Sequence, residues 1–315
     1  MKKLLLPFAI ALLAQQTISA ETFRVNNTPG SGAQYTTFDD AQKAASDGDV
    51  IIVDGSATSY GKIVVTKKIT LKGPGYFLDQ DESMNEAANP ANFYEIRVQA
   101  EGATLSGLYI QEDLYLQNNK IVVTRCQVQK MIYFSAPSSE VTAISDCIIH
   151  QNFIRFGIRG LVNNYYAQIS NNVIASGDAA ALYTLNNATI SYNTIVPRSG
   201  TRITYLKDCV IENNICQHIE TGGQSYNNGN TFSNNYYTDY SNKSPYYVTN
   251  GWSCTDREVK AIDETLTTTQ GAFSGNDPYV LSGLPSGPMI QDVIMPESVA
   301  KGENLKVTVK IGSSK

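Results

Sequence analysis

One short phrase returns along this chain, and it limits the possible folds more than any other feature. It reads Leu105-Ser-Gly-Leu-Tyr-Ile110, Val123-Thr-Arg-Cys-Gln-Val128, Ile144-Ser-Asp-Cys-Ile-Ile149, Ile169-Ser-Asn-Asn-Val-Ile174, Ile190-Ser-Tyr-Asn-Thr-Ile195, Ile211-Glu-Asn-Asn-Ile-Cys216 and Phe232-Ser-Asn-Asn-Tyr-Tyr237. Its fourth position falls at Leu108, Cys126, Cys147, Asn172, Asn193, Asn214 and Asn235, in steps of 18, 21, 25, 21, 21 and 21 residues. The first position is apolar every time, and the sixth is apolar or aromatic. A further apolar column, Leu161, Leu182 and Ile203, keeps the spacing of 21 eleven residues ahead of the fourth position. A fixed period of this size marks a repeat architecture, and helical periodicity is absent from the region.

A unit of about 21 residues made of short strands cannot bury its own apolar side chains. Stacked coils can, because each strand pairs in parallel with its counterpart about 4.8 Å above and below. Val123, Ile144, Ile169, Ile190 and Ile211 are then expected inside, stacked over one another. Beside them stands a ladder at an inward turn: Cys126, Cys147, Asn172, Asn193, Asn214 and Asn235. A repeated Asn there donates and accepts along the stack, satisfying turn backbone groups that burial would otherwise leave unpaired. Cys at two rungs keeps a small buried residue without those bonds. A disulfide between adjacent coils is sterically conceivable, but five Cys is an odd count and favours buried free thiols.

The N-terminal part carries a second pattern. Tyr35-Thr-Thr-Phe-Asp-Asp-Ala-Gln-Lys-Ala-Ala45 reads as a helix with Thr36 or Thr37 as N-cap and Phe38, Ala41 and Ala45 on one face. Ser46-Asp-Gly-Asp-Val-Ile-Ile-Val-Asp54 is a turn and a strand, and Tyr60-Gly-Lys-Ile-Val-Val-Thr-Lys-Lys-Ile-Thr-Leu-Lys-Gly73 supplies two more strands. With the Asn ladder, this order resembles the pectate-lyase-like right-handed parallel β-helix superfamily over roughly residues 22–240. The resemblance implies an all-β solenoid with an N-terminal capping helix. It implies little about reaction, because such folds host many functions.

The remaining segments complete the organisation. Residues 1–20 have a basic n-region at Lys2 and Lys3, an apolar run over 4–14 and a polar exit ending in Ala20, the layout of a cleaved secretory signal peptide. The run is too short to span a bilayer, and no later stretch has the length of a transmembrane helix. Residues 21–285 are expected to form the β-helix, with a polar excursion within 76–100 and an irregular wrap from Ser241 over the C-terminal end, plugged by Trp252. Residues 286–315 form a short β-hairpin-like tail, similar to the ends of secreted β-helix proteins of Gram-negative bacteria. The expected location is the periplasm or cell surface.

Charge narrows the partners. Without the leader, 22 basic residues face 29 acidic ones, a formal charge of −7. Such a chain is not electrostatically prepared for nucleic acid or an anionic membrane. No Cys pair has zinc-ligand spacing and no acidic cluster has Ca²⁺-ligand composition, so no metal or cofactor is expected.

Three chemistries suit an exported β-helix. A hydrolase needs paired carboxylates roughly 5–9.5 Å apart; on the 21-residue grid only Asp178 and Glu220 share a column, two coils apart. A lyase acting on a uronic-acid glycan needs a cation for the carboxylate and a base for the C5 proton. Arg159 and Arg202, with Tyr183 and Tyr205 flanking one face and His150 and Arg155 in the connection leading to it, come nearest to that set. Arg and Tyr are equally at home on a solvated β-surface. A binding surface needs only exposed aromatic and polar groups, and 19 Tyr, with pairs such as Tyr165-Tyr166, supply them. The expectation is a protein that engages a polysaccharide or cell-surface glycan, or serves an adhesive role, with β-elimination on a uronic-acid glycan as the alternative.

Overall fold

The computed structural model describes residues 20–78, 89–136, 138, 143–175, 180–195, 202–216, 228–237, 246–248, 259–261, 269–280, 283–284, 288–294, 298, 302 and 304–313. It is all-β apart from one helix, and three long parallel sheets make up the body. Sheet 1 has ten strands, sheet 2 eight and sheet 3 nine. The chain visits them in rotation: Val122–Thr124 lies in sheet 1, Gln127–Val128 in sheet 2 and Met131–Phe134 in sheet 3, before Ile148–His150 returns to sheet 1.

Alternation places one side chain in two toward a common core. In sheet 1 the inward column runs Ile51, Leu71, Leu105, Val123, Ile149, Ile169, Ile190 and Ile211, register partners from strand to strand and fully buried. In sheet 2, Phe93, Ile110, Val128, Ile154 and Ile174 do the same. In sheet 3 the column is Ile63, Ile96, Leu114, Ile132, Ile158, Leu182 and Ile203. The β-branched side chains that dominate these columns suit a pleated surface packed on both neighbours.

The corners are tight because single residues turn them in the left-handed region. From sheet 1 to sheet 2 these are Gly107, Arg125, Gln151, Asn171, Tyr192, Asn213 and Asn234, with φ between 49° and 67°. From sheet 3 back to sheet 1 they are Gly102, Lys120, Asp146, Tyr166, Asn187, Asp208 and Gly229, with φ between 51° and 72°. Residues after the first corner form the ladder. Asn193 Oδ1 accepts from the Asn172 backbone N–H at 3.0 Å and from Asn172 Nδ2 at 2.9 Å, while Asn193 Nδ2 donates to the Ile169 carbonyl at 2.8 Å. Asn214 and Asn235 repeat this arrangement one and two strands on.

The register corrects two placements. Val123 pairs with Ile149, so the rung after Cys126 is Asn152, whose Oδ1 accepts from the Cys126 N–H at 2.9 Å and whose Nδ2 donates to the Val123 carbonyl. Cys147 stands at the other corner, and Ile144, although buried, pairs with Asn164 in sheet 3. Both corners carry a left-handed residue followed by a small inward one, so the same phrase fits each. Leu161 is 53% exposed and outside the apolar column, because Ile158 is the partner of Leu182.

The helix Phe38–Ala44 lies at the N-terminal edge, with Thr37 as N-cap accepting from the Asp40 N–H. Phe38, Ala41 and Ala45 are buried in the main core. Gln42 closes the exposed edge of sheet 3: its Nε2 donates to the Val64 carbonyl at 3.0 Å and its Oε1 accepts from the Thr66 N–H at 2.8 Å. One amide thus makes the two bonds that a further strand would make, which blunts an edge otherwise open to pairing.

Towards the C-terminus, residues 269–280 and 283–284 form a strap along the side of the stack. The strap follows the first left-handed column. Gln270 Nε2 donates to the Asn234 carbonyl at 3.1 Å, and the Gly271 N–H donates to the Asn213 carbonyl at 2.8 Å. Asn171 Nδ2 donates to the carbonyls of Ala272 and Ser274, Gln151 Nε2 to that of Pro278, and Arg125 to that of Leu284. Beneath it the outward column of sheet 2, Phe153, Val173, Thr194 and Ile215, is buried. Gly271 is required there: a Cβ would sit 2.6 Å from Ile215 Cδ1, and its φ is +79°. Pro288–Ile294 pairs antiparallel with Thr308–Ser313. The leader at 1–19, the excursion at 79–88 and Trp252 lie outside the described residues.

Cys126, Cys147, Cys209 and Cys216 are free and buried, and Cys254 lies outside the described residues. Burial pushes the thiols of Cys126, Cys147 and Cys216 up to about 12. In the unfolded chain the same thiols ionise near pH ~8.5, so the folded state alone keeps its protons above that pH. Their stabilising contribution is complete below about pH 8.5 and is lost as the pH rises toward 12. The expected result is a denaturant midpoint that holds up to about pH 8.5 and declines above it, with thiols unreactive to a disulfide reagent until the chain unfolds. Rapid labelling of Cys126 in the native protein at neutral pH would contradict this.

Candidate functional site

The outer face of sheet 3 carries a continuous track of side chains. Arg97, Tyr115, Tyr133, Arg159 and Tyr183 are register partners on successive strands, all on the outward side of the alternation. The Arg97 guanidinium lies 4.2 Å from the Tyr115 ring centroid. The Tyr115 and Tyr133 rings stack at 5.3 Å, with planes 17° apart. The Arg159 guanidinium lies 4.7 Å from the Tyr183 ring, which packs at 4.6 Å against Tyr205. Thr204 is the register partner of Tyr183 and is buried, and Tyr205 follows it with a φ of 58°. A left-handed residue here lets the Tyr205 ring take the track position that Thr204 is too small to fill.

Strand spacing explains the stacking. Parallel strands lie about 4.8 Å apart, near the distance at which planar groups pack face to face. Rings packed this way turn their faces toward one another and their edges and hydroxyls outward. The face therefore presents a row of phenol edges interrupted by cations. Arg159 is exposed and has no ion pair among the described residues, whereas Arg97 bonds Glu95 at 2.9 Å.

The carboxylates beside the track are already engaged. Glu95 also has Lys62 at 3.9 Å. Asp113 accepts from the Met131 N–H at 3.0 Å and from the Tyr115 hydroxyl at 3.3 Å. Burial, and then the charges of Asp113 and Glu95, push the Tyr115 phenol above its ordinary value. Its hydroxyl is committed as a donor to Asp113.

The structure brings Arg159, Tyr183 and Tyr205 together and places His150, Arg155, Tyr165 and Tyr166 elsewhere. Of Arg202 only the backbone is described, paired with Ala180 ahead of a register irregularity. His150 lies on sheet 1, held between Ser170 Oγ at 2.9 Å and Asp277 Oδ2 at 2.8 Å, so it secures the strap and does not reach the track. Arg155 lies against Phe156 between sheets 2 and 3. Tyr165 and Tyr166 sit at the corner from sheet 3 to sheet 1, their rings 6.2 Å apart, with Tyr166 58% exposed. Asp178 and Glu220 lie outside the described residues.

Arg97, Tyr115 and Tyr133 escape a reading on a 21-residue grid because they are spaced 18 apart. The same step from Leu108 to Cys126 was the signal that places Glu95-Ile-Arg-Val98, Asp113-Leu-Tyr-Leu116 and Met131-Ile-Tyr-Phe134 in register.

Among the described residues no group of His, Cys, Asp or Glu is placed to hold a metal ion, and no helix is long and apolar enough to cross a membrane. Fold and face together define an all-β chain of long parallel sheets with an arginine–tyrosine track on one outer surface. Comparison with protein-family models, curated proteins and solved structures gives no match, so this chain's own residues carry the functional reading.

Proposed function

We propose that this chain is an exported right-handed parallel β-helix of the pectate-lyase-like kind, acting at the periplasm or cell surface, and that it engages carbohydrate along the outer face of sheet 3. One observation carries the reading: Arg97, Tyr115, Tyr133, Arg159, Tyr183 and Tyr205 form one track across successive strands. Phenol hydroxyls and guanidinium groups donate to sugar hydroxyls, and a linear track matches an extended chain of repeating units. A second reading, β-elimination on a uronic-acid glycan, draws on Arg159 alone, an exposed cation beside two phenols.

Affinity electrophoresis against soluble neutral and uronic-acid polysaccharides tests the first reading. At least one glycan is expected to retard the wild-type protein. Tyr133→Ala and Arg159→Ala should each weaken that retardation by about tenfold or more, as truncation of an aromatic or arginine anchor does. Retardation by none of the panel, or unchanged retardation of both variants, would overturn it. The same mixtures, followed by ultraviolet absorbance, report unsaturated product; its appearance, and its loss in Arg159→Ala, would establish the lyase instead.

A further inference from the structure

A polar cleft of about 520 Å³ opens where sheet 3 turns into sheet 1 near the N-terminal edge, lined by Asp47, Thr66, Lys68, Gln99, Glu101 and Lys120. We infer that this cleft is a second subsite of the same glycan-binding surface and that it takes an uncharged sugar residue. The inference rests on the track being a glycan site and adds a position and a charge preference to it.

The spare bonding capacity of the lining points to this ligand. Lys120 is bound to Glu101 at 2.7 Å, Asp47 Oδ1 accepts from the Lys68 backbone N–H at 2.9 Å, and Gln99 Nε2 donates to Gln117 Oε1 at 3.1 Å. Among the described residues, four groups keep capacity with no internal partner: the Lys68 ammonium, the Thr66 hydroxyl, Asp47 Oδ2 and Gln99 Oε1. The cleft lining therefore offers both donors and acceptors. Vicinal hydroxyls of a sugar, each able to donate and accept, complement such a lining. Two lysines and two carboxylates balance, so the cleft offers no net charge to an ionic ligand. Its volume lies within the ordinary range for small-molecule sites of roughly 300–1,000 Å³.

Position joins the cleft to the track. Gln99, Gln117 and Ser135 stand two residues beyond Arg97, Tyr115 and Tyr133 on the same three stretches of chain. Gln117 Nε2 donates to Ser135 Oγ at 3.3 Å, so a hydrogen-bonded row runs beside the first half of the track and ends at the cleft. Gly102 keeps the wall open: a Cβ there would lie 3.1 Å from Lys68 Cε, and its φ of +69° turns the corner.

The test uses the full chain and the polysaccharide panel described above. The double variant Lys68→Met, Thr66→Val removes two spare donors while keeping both stems, and thermal unfolding checks that it folds. If the inference holds, a neutral glycan that retards the wild type binds the double variant about tenfold more weakly, the loss of a hydrogen bond to a charged group. Wild-type affinity in the double variant, with Tyr133→Ala weakened, overturns the cleft and leaves the track. Weakening in the double variant with Tyr133→Ala unchanged overturns the track and, with it, the cleft's standing as a second subsite of that surface. Failure of the wild type to bind any glycan overturns both.

Discussion

Asn193→Ala is expected to lower the free energy of unfolding by about 3 kcal/mol, because it strands several buried partners together. The Asn172 backbone N–H and Asn172 Nδ2 lose their shared acceptor, and the Ile169 carbonyl loses its side-chain donor. These groups lie in the interior, where each unpaired donor or acceptor costs about 1–3 kcal/mol. Asn187→Ala is the control. Asn187 is a left-handed corner residue, with φ 51°, whereas Asn193 follows the left-handed Tyr192; Asn187 also lacks the burial of the ladder. Its replacement costs only the left-handed preference, about 1 kcal/mol. Chemical denaturation of the two variants reads the difference directly. Equal stability of Asn193→Ala and wild type would mean that the rungs do not carry the corner.

Tyr279→Ala is expected to cost about 3–5 kcal/mol, as removal of a fully packed aromatic does. Tyr279 lies in the strap and packs with Tyr76, Phe77, Phe153 and Val173 in a second apolar cluster outside the main core. Its hydroxyl meets that of Tyr76 at 2.6 Å. Tyr279→Phe isolates that bond. It keeps the ring, leaves the buried Tyr76 hydroxyl without its partner and should cost about 1–3 kcal/mol. Both variants should become more sensitive to limited proteolysis within residues 269–284. A Tyr279→Ala protein as stable and as protease-resistant as wild type would show that the strap adds nothing to the body.

The parallel stacking is legible in the sequence because a buried column must repeat at the circuit length, and Ile169, Ile190 and Ile211 do so at 21 residues. Legibility fails where circuit length changes. Val123 to Ile149 is 26 residues and Ile149 to Ile169 is 20, so a grid fixed at 21 exchanges Asn152 for Cys147. The track suffers in the same way: its second half falls near the grid and is partly read, while its first half is hidden at a spacing of 18. The strap has no sequence signature. Its Gly, Ser, Asn and Pro residues read as an irregular cover, and only long-range partners such as Gln151, Asn171 and Arg125 fix its course.

The strap also bears on how the protein responds to force. The hydrogen bonds of the three sheets run along the stacking axis, so tension on that axis would open the stack like a zip, one rung at a time. The strap reaches from Asn234 back to Arg125, five rungs or about 24 Å at the strand spacing, and grips rungs along the way. Load across these rungs is therefore shared between them and a strand of covalent chain lying beside them, as a guy-line shares the load of a jointed mast.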